Sequence, residues 1–580
     1  MTGRCNDKST LVETLMINDR AITDTGEIAG EFCSFFSNIG KQYAEAIPNS
    51  NRTPHSFLQG QPNRHSAYFT PTGPTEIKSI LKSFKSKRSS GDDGISMEFL
   101  KQIADSISLP IAMIVNMSLE QGVVPDAMKL AKVIPIYKAK SRDSLTNYRP
   151  ISLLSNISKI LEKVVHRRLY SFITKHDLLY GSQYGFRPQR STIDALAQFT
   201  ADVLPSLDNK EFCLSVYLDL SKAFDTIKHS TLLAKLAHYG IRGQALDWFR
   251  SYLAQRRQYV SCGGKSSNIL AVEYGVPQGS VLGPLLFIIY SNDLPMCLGS
   301  CKTILFADDT TLYITGRNIR DMSTKMNADL SVLSDWFRAN KLSANPLKTK
   351  FILFSRKGVR PSHEITLSMD GHLLDQVQNT KFLGLHFDEN LIWDIHIDNC
   401  RKKVARGIFA MNMAKNVLKH KHLKILYHSL IHSHLSYGTI LWGNTYQKHL
   451  HRLEVAQKRA IRVIAGVPYN SHSSELFQKL DILKLRDIYN SQIGKFMYNF
   501  THGELPRPLS RIYIFHGDGH GHNTRHRADP KAPIVNSDTM RRSYLYTGPN
   551  LWIALSDNLK SSNSILQFKK QLKRVYISGY

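Results

Sequence analysis

Apolar and polar positions alternate with different periods in different parts of the chain. Three- and four-residue spacing in "EFCSFFSNIGKQYAEAI" (Glu31 to Ile47) predicts an amphipathic helix near the amino terminus, followed by a turn-rich stretch from Leu58 to Glu76. Strand and helix patterns then alternate to about residue 390 with no evident linker. "FCLSVYL" (Phe212 to Leu218) predicts a strand that ends on Asp219, and the following "LSKAFDTIKHSTLLAKLAHYG" predicts a helix closing on Gly240. "KTILFA" and "TTLYIT" predict a hairpin with Asp308 and Asp309 between its strands. Between these two regions "YGVPQGSVLGPLLFIIYSNDLP" (Tyr274 to Pro295) predicts a turn opening into an apolar helix. Beyond residue 395 the pattern is helical, through His422 to Gly438, Leu453 to Gly466 and a last helix at Ile565 to Ile577, with a glycine- and histidine-rich loop from His516 to Arg527. No repeat of fixed period runs through the chain.

Composition adds one strong bias. The 580 residues hold 75 Lys and Arg against 47 Asp and Glu, a net charge of +28, while 42% apolar content is ordinary for a folded protein. A charge of that size points to a polyanionic partner, and nucleic acid fits best with 10% aromatic residues. Seven scattered cysteines fit a reducing compartment, and no Cys/His set has zinc spacing. The start of the chain lacks a signal-peptide pattern, and its longest apolar run, Val281 to Tyr290, is well short of the roughly 20 residues that span a membrane. The expected location is intracellular, nuclear or cytoplasmic, with no membrane partner.

Asp219 at a strand end, with Asp308 and Asp309 at a hairpin tip, would place three like charges together. Divalent cations resolve that repulsion, and carboxylates sharing two ions carry out in-line phosphoryl transfer. Magnesium suits such a site because it prefers hard oxygen ligands and shares them with substrate phosphates. In the glycine-rich turn the small residues let a nucleotide approach the backbone, and Gln278 offers it a hydrogen bond.

In order and spacing these segments resemble the reverse transcriptases of non-LTR (LINE-type) retrotransposons, closest to the jockey and CR1-like group. The resemblance rests on "KSKRSSGDDGIS", "AKVIPIYKAKSRDSLTNYRPISLLSNISKILEKVV", "SQYGFRPQRSTIDAL", "LDLSKAFDTIKH", "GVPQGSVLGPLLF", "FADD", "NKLSANPLKTKFILF" and "TKFLGLHF", in that order between Lys85 and Phe387. It implies an α+β, right-hand polymerase fold with helical amino- and carboxy-terminal extensions. The parts would be an extension over 1–60, fingers over 61–200, a palm with an antiparallel sheet over 201–390, a helical thumb over 391–470 and a carboxy-terminal helical region over 471–580. It implies an RNA-directed DNA polymerase that extends a primer 3′-hydroxyl with dNTPs on an RNA template.

Carried over by matching motif, Asp219, Asp308 and Asp309 would be catalytic and would bind two Mg²⁺ ions, or Mn²⁺ in their place, with the carbonyl of Leu220 as a further ligand. Phe224, Gln278, Gly279, Arg187 and Lys138 would line the dNTP site, with Phe224 excluding a ribose 2′-hydroxyl. Lys348 would protonate the leaving pyrophosphate, and Phe382, Leu383 and Gly384 would form the primer grip. Between Arg401 and Asn470 thirteen Lys and Arg face one acid, Glu454, so Arg459 and Arg462 are expected on the backbone of an RNA:DNA hybrid. Complete elements of this type carry an endonuclease before the polymerase, and no comparable stretch precedes the fingers, so that activity is expected to be absent from this chain. The alternative function is a catalytically silent, nucleic-acid-binding relic or domesticated copy.

Overall fold

A computed structural model describes residues 12–361, 363–518 and 527–580 of the chain. The histidine-rich loop lies outside the described residues from 519 to 526. Helices and strands are mixed, and two five-stranded sheets carry most of the strand residues.

The first sheet has Phe212–Leu218 near its middle, flanked on one side by the hairpin Lys302–Phe306 and Asp309–Gly316 and on the other by Lys350–Phe354 and the short Asp375–Gln376. Pairing is antiparallel except at the last edge. "FCLSVYL" has no polar face because the sheet is covered on both sides, as period-two geometry requires of such a run. Phe212, Leu214, Val216 and Leu218 enter one apolar core, with Leu305, Leu312, Phe351 and Leu353. Cys213, Ile304, Tyr313, Ile352 and Phe354 enter a second.

The first core is completed by helices Pro74–Ser83, Ala104–Gln121, Asn156–Lys175, Gln244–Leu253, Gly283–Tyr290 and Ile319–Ala339. Gly283–Tyr290 is buried all round, which is why its apolar residues show no helical stripe. The second core holds Thr192–Asp208 together with the helices after residue 393, from Asp394–Ala414 to Ile565–Ser578.

In the second sheet Leu130–Tyr137 lies between Tyr148–Leu153 and Arg256–Cys262. The amino-terminal helix Thr25–Ala46, capped by the Asp24 carboxylate, covers it through Phe32, Cys33 and Phe36. No helix among the described residues is long and apolar enough to cross a membrane.

Candidate active site

Strand register brings the carboxylates together. Thr310 pairs with Leu218 as the last pair of the register, so the next residues on the two strands, Asp309 and Asp219, leave the sheet at the same end, and the Asp219 charge reaches Asp309. On the other flank Lys350 pairs with Tyr217, and two residues earlier Lys348 places its Nζ 3.3 Å from Asp219 Oδ2. Asp308 occupies the two-residue turn between Phe306 and Asp309 with Ala307, whose φ of 58° lies in the left-handed region that favours glycine.

That turn is held from behind by the segment at Ser182–Gly185. Tyr184 N donates to Leu305 O (2.8 Å) and Leu305 N to Ser182 O (3.0 Å), while Gln183 Oε1 accepts from both Gly185 N (2.8 Å) and Ala307 N (3.2 Å). A Cβ on Gly185 would sit 2.2 Å from Ala307 N, so only glycine lets the two backbones meet.

Both tip carboxyls are harder to ionise than usual. Burial raises Asp308, against its own backbone N–H and the Arg149 guanidinium. Burial, then the charges of Asp308 and Asp219, push Asp309 up to about 6. No group of three His, Cys, Asp or Glu among the described residues forms a ready-made metal cage. The all-oxygen donor set and the mutual repulsion nevertheless fit divalent cations that retain water and complete their shells with phosphate oxygens.

Asp219, Leu220, Phe224, Gln278 and Asp308 line a cavity of about 590 Å³, which Asp309 does not reach. Lys138, Lys140, Arg149, Lys222 and Lys348 supply cations to the same space. Lys138 and Lys348, both named from the motifs, line it. Arg149, exposed on the strand Tyr148–Leu153, was not among the residues singled out from sequence, although it lies within a quoted motif.

Arg187 is a correction: it does not line the cavity, and its Nη1 donates to Tyr180 O (2.9 Å) and Gln183 O (3.5 Å), where carbonyls hold it in the protein. The helix expected directly after Asp219 is a second correction, since it begins only at His229. Leu220–Ser221 instead pairs with Ser343–Ala344, and the carbonyls of Phe224 and Ile227 accept from Val276 N and Gly275 N (3.0 and 2.8 Å), so they are not free for helical bonds. Phe224 sits in that turn, stacked on Phe287 with ring centres 4.5 Å apart and edge-on to Phe186.

Gly279 contributes backbone: at φ 139° its missing Cβ would meet Ser152 O at 2.4 Å, and next to it Gln278 O accepts from Ser152 N (2.9 Å). Phe382 is buried in the second core, while Leu383 and Gly384 form a left-handed turn whose Leu383 carbonyl accepts from the Tyr437 hydroxyl. Arg459 is exposed on the helix Gln447–Ala465; Arg462 is half-buried and donates to Ser471 O (2.7 Å).

Residues 136–387 match the family model described as reverse transcriptase (RNA-dependent DNA polymerase). The chain is 30% identical over 434 residues to the "Probable RNA-directed DNA polymerase from transposon BS" of Drosophila melanogaster, an alignment covering 71% of this chain and 47% of that protein. It is 28% identical over 458 residues to the "RNA-directed DNA polymerase from mobile element jockey" of the same species, covering 76% and 49%, and 27% identical over 452 residues to its transposon X-element counterpart, covering 76% and 49%. The chain spans about half the length of these curated relatives.

Proposed function

We propose that the chain is a reverse transcriptase of the non-LTR retrotransposon kind and extends a primer 3′-hydroxyl with dNTPs on an RNA template. The observation that carries this is the cavity itself: carboxylates from neighbouring strand ends share with five cations the lining of a space of about 590 Å³, of the size that holds small ligands. In this reading the layout is a right hand, with fingers over 61–200, palm over 201–390, thumb over 391–470 and the remaining helices as a carboxy-terminal region.

Asp219, Asp308, Asp309 and the Leu220 carbonyl would hold two Mg²⁺ ions, which when bound make the attacking hydroxyl more acidic and offset charge on the phosphate. Arg149 and Lys138 bind the triphosphate, Arg149 with the bidentate geometry a guanidinium offers. Phe224, fixed against Phe287, closes the space a 2′-hydroxyl would need. Lys348 Nζ holds a proton at the cavity wall, and we assign it to the leaving pyrophosphate. Phe382–Gly384, tied to Tyr437, supports the primer end, and Arg459 faces the hybrid backbone.

Purified protein incubated with oligo(dT)-primed poly(rA), dTTP and Mg²⁺ is expected to extend the primer. No incorporation where a control enzyme works, together with hybrid binding that survives Asp308→Ala, would establish the silent nucleic-acid-binding alternative.

A further inference from the structure

Tyr43 belongs to the amino-terminal helix Thr25–Ala46, yet it lines the cavity together with Lys138, Lys140 and Lys222. Several contacts fix where that helix lies. In its first half Phe32 packs edge-on to Tyr148, with ring centres 4.9 Å apart, and Lys222 Nζ stands 6.0 Å from the centre of the Phe35 ring. Further on, Gly40 meets the segment after Asp219 so closely that a Cβ would sit 2.1 Å from Asp225 O. Just past the helix end Lys341 Nζ donates to Ile47 O (3.0 Å) and to Asn49 Oδ1 (3.1 Å). Tyr43, three residues beyond Gly40 and on the same helix face, therefore falls between Asp225 and Lys341. Lys341 leads into Ser343–Ala344, which pairs with Leu220–Ser221, and then to Asn345 and Lys348 on the cavity lining. The tyrosine is half-buried, and among the described residues its hydroxyl has no hydrogen-bond partner.

We infer that Tyr43 is a substrate-binding residue whose hydroxyl donates to the terminal phosphates of the incoming nucleotide, so that the amino-terminal extension supplies part of the polymerase site. The inference rests on the polymerase reading above. Five cations already line this space, and a sixth would repel them; a phenol adds a donor without adding charge. Its place in the fold favours phosphate over sugar. Phe224, the residue assigned to the sugar, is held against Phe287, whereas Tyr43 enters past Asp225 on the way to Lys348, the proton donor assigned to pyrophosphate. A contact to these phosphates is present when the nucleotide binds and is kept when pyrophosphate forms. It therefore tightens both ligands by the same interaction and leaves the choice of sugar alone.

Steady-state extension of oligo(dT)-primed poly(rA) tests this with Tyr43→Phe, which keeps the ring and removes only the donor. KM for dTTP and the inhibition constant of added pyrophosphate are each expected to rise by about tenfold, the value of a hydrogen bond to a charged group. The preference for dTTP over rUTP, as a ratio of kcat/KM values, is expected to stay as in the wild type. A residue that only packs the helix would leave KM and the pyrophosphate constant where they are, and that result would overturn the inference. So would a changed ratio of dTTP to rUTP use, which would put the ring against the sugar. Both of these failures leave the polymerase reading intact. A wild type that extends no primer would overturn that reading, and the role of Tyr43 with it.

Discussion

The two sides of the cavity are built by different means. Its acids stand on backbone geometry: Asp219 ends one strand, and Asp308 sits in the turn of the adjoining hairpin, next to Asp309. Its cations stand on long side chains, several of them from Lys138 to Arg149, where one strand turns into the next. An acid there cannot move without breaking the sheet, whereas an arginine can adjust to a ligand. On the proposed function, ions would be placed by the fold and phosphates gathered by adaptable arms.

The largest expected effect is on the rigid side. Asp308→Ala should lower kcat in primer extension by roughly 1,000-fold, from loss of several kcal/mol of charge stabilisation, with hybrid affinity little changed. A smaller drop would mean that the strand-end placement is not what organises the chemistry.

On the adaptable side, Arg149→Ala should raise KM for dNTPs by about 10- to 100-fold, the value of a lost charge-assisted hydrogen bond, measured by steady-state extension. Arg187→Ala should instead lower thermal stability by about 1 kcal/mol, because its hydrogen bonds to the Tyr180 and Gln183 carbonyls are lost while Gln183 N and Arg190 still donate to them, and should change KM little. If the two arginines exchange these effects, the assignment of the phosphate wall is wrong.

Phe224→Val should raise use of rNTP relative to dNTP, each tenfold change in the kcat/KM ratio being about 1.4 kcal/mol. Equal loss of both would make Phe224 a packing partner of Phe287 and nothing more. Away from the cavity, Arg459→Ala should flatten the plot of log hybrid affinity against log salt by about 0.9, whereas Arg462→Ala should leave the slope unchanged because Ser471 O already takes its guanidinium.

The smallest effect contrasts two acids. Glu76 receives hydrogen bonds from Arg168, Thr72 and Arg167, which hold it down to about 2, while Asp309 among carboxylates is pushed up. Lowering of Glu76 makes its pairing stabilising above about pH 4.5, and that contribution is lost as pH falls toward 2. Glu76→Gln should therefore lower the melting temperature slightly at pH 7, and the difference should shrink steadily as pH falls from about 4.5 toward 2.

What could be read in the sequence follows the same division. Local runs dictate where a strand or hairpin ends, so Phe212–Leu218 and the tip at Asp308 are legible without knowledge of any distant residue. Which arginine reaches the cavity is not legible that way. Arg149 and Arg187 are equally plausible by type, and the choice depends on carbonyls supplied by Tyr180 and Gln183. The missing helix after Asp219 has the same cause, since Val276 and Gly275, some fifty residues further on, take the carbonyls it needed. Gln278 is legible from its motif as a residue of the cavity; the Asp225 carboxylate that its Nε2 donates to is not, because nothing local says that an aspartate in a turn faces a glutamine from another segment.

The contact behind the hairpin also bears on how the molecule is assembled. Gln183 Oε1 and Ala307 N are 124 residues apart in the chain, and the unfavourable φ of Ala307 is supported by that bond and by the close approach of Gly185. A hairpin of this length can zip up on its own within microseconds, but its tip is held in the unfavourable conformation only after the loop between them has closed. The carboxylates should thus reach their final geometry late in folding, so a half-made chain does not bring the three acids together before the rest of the fold surrounds them.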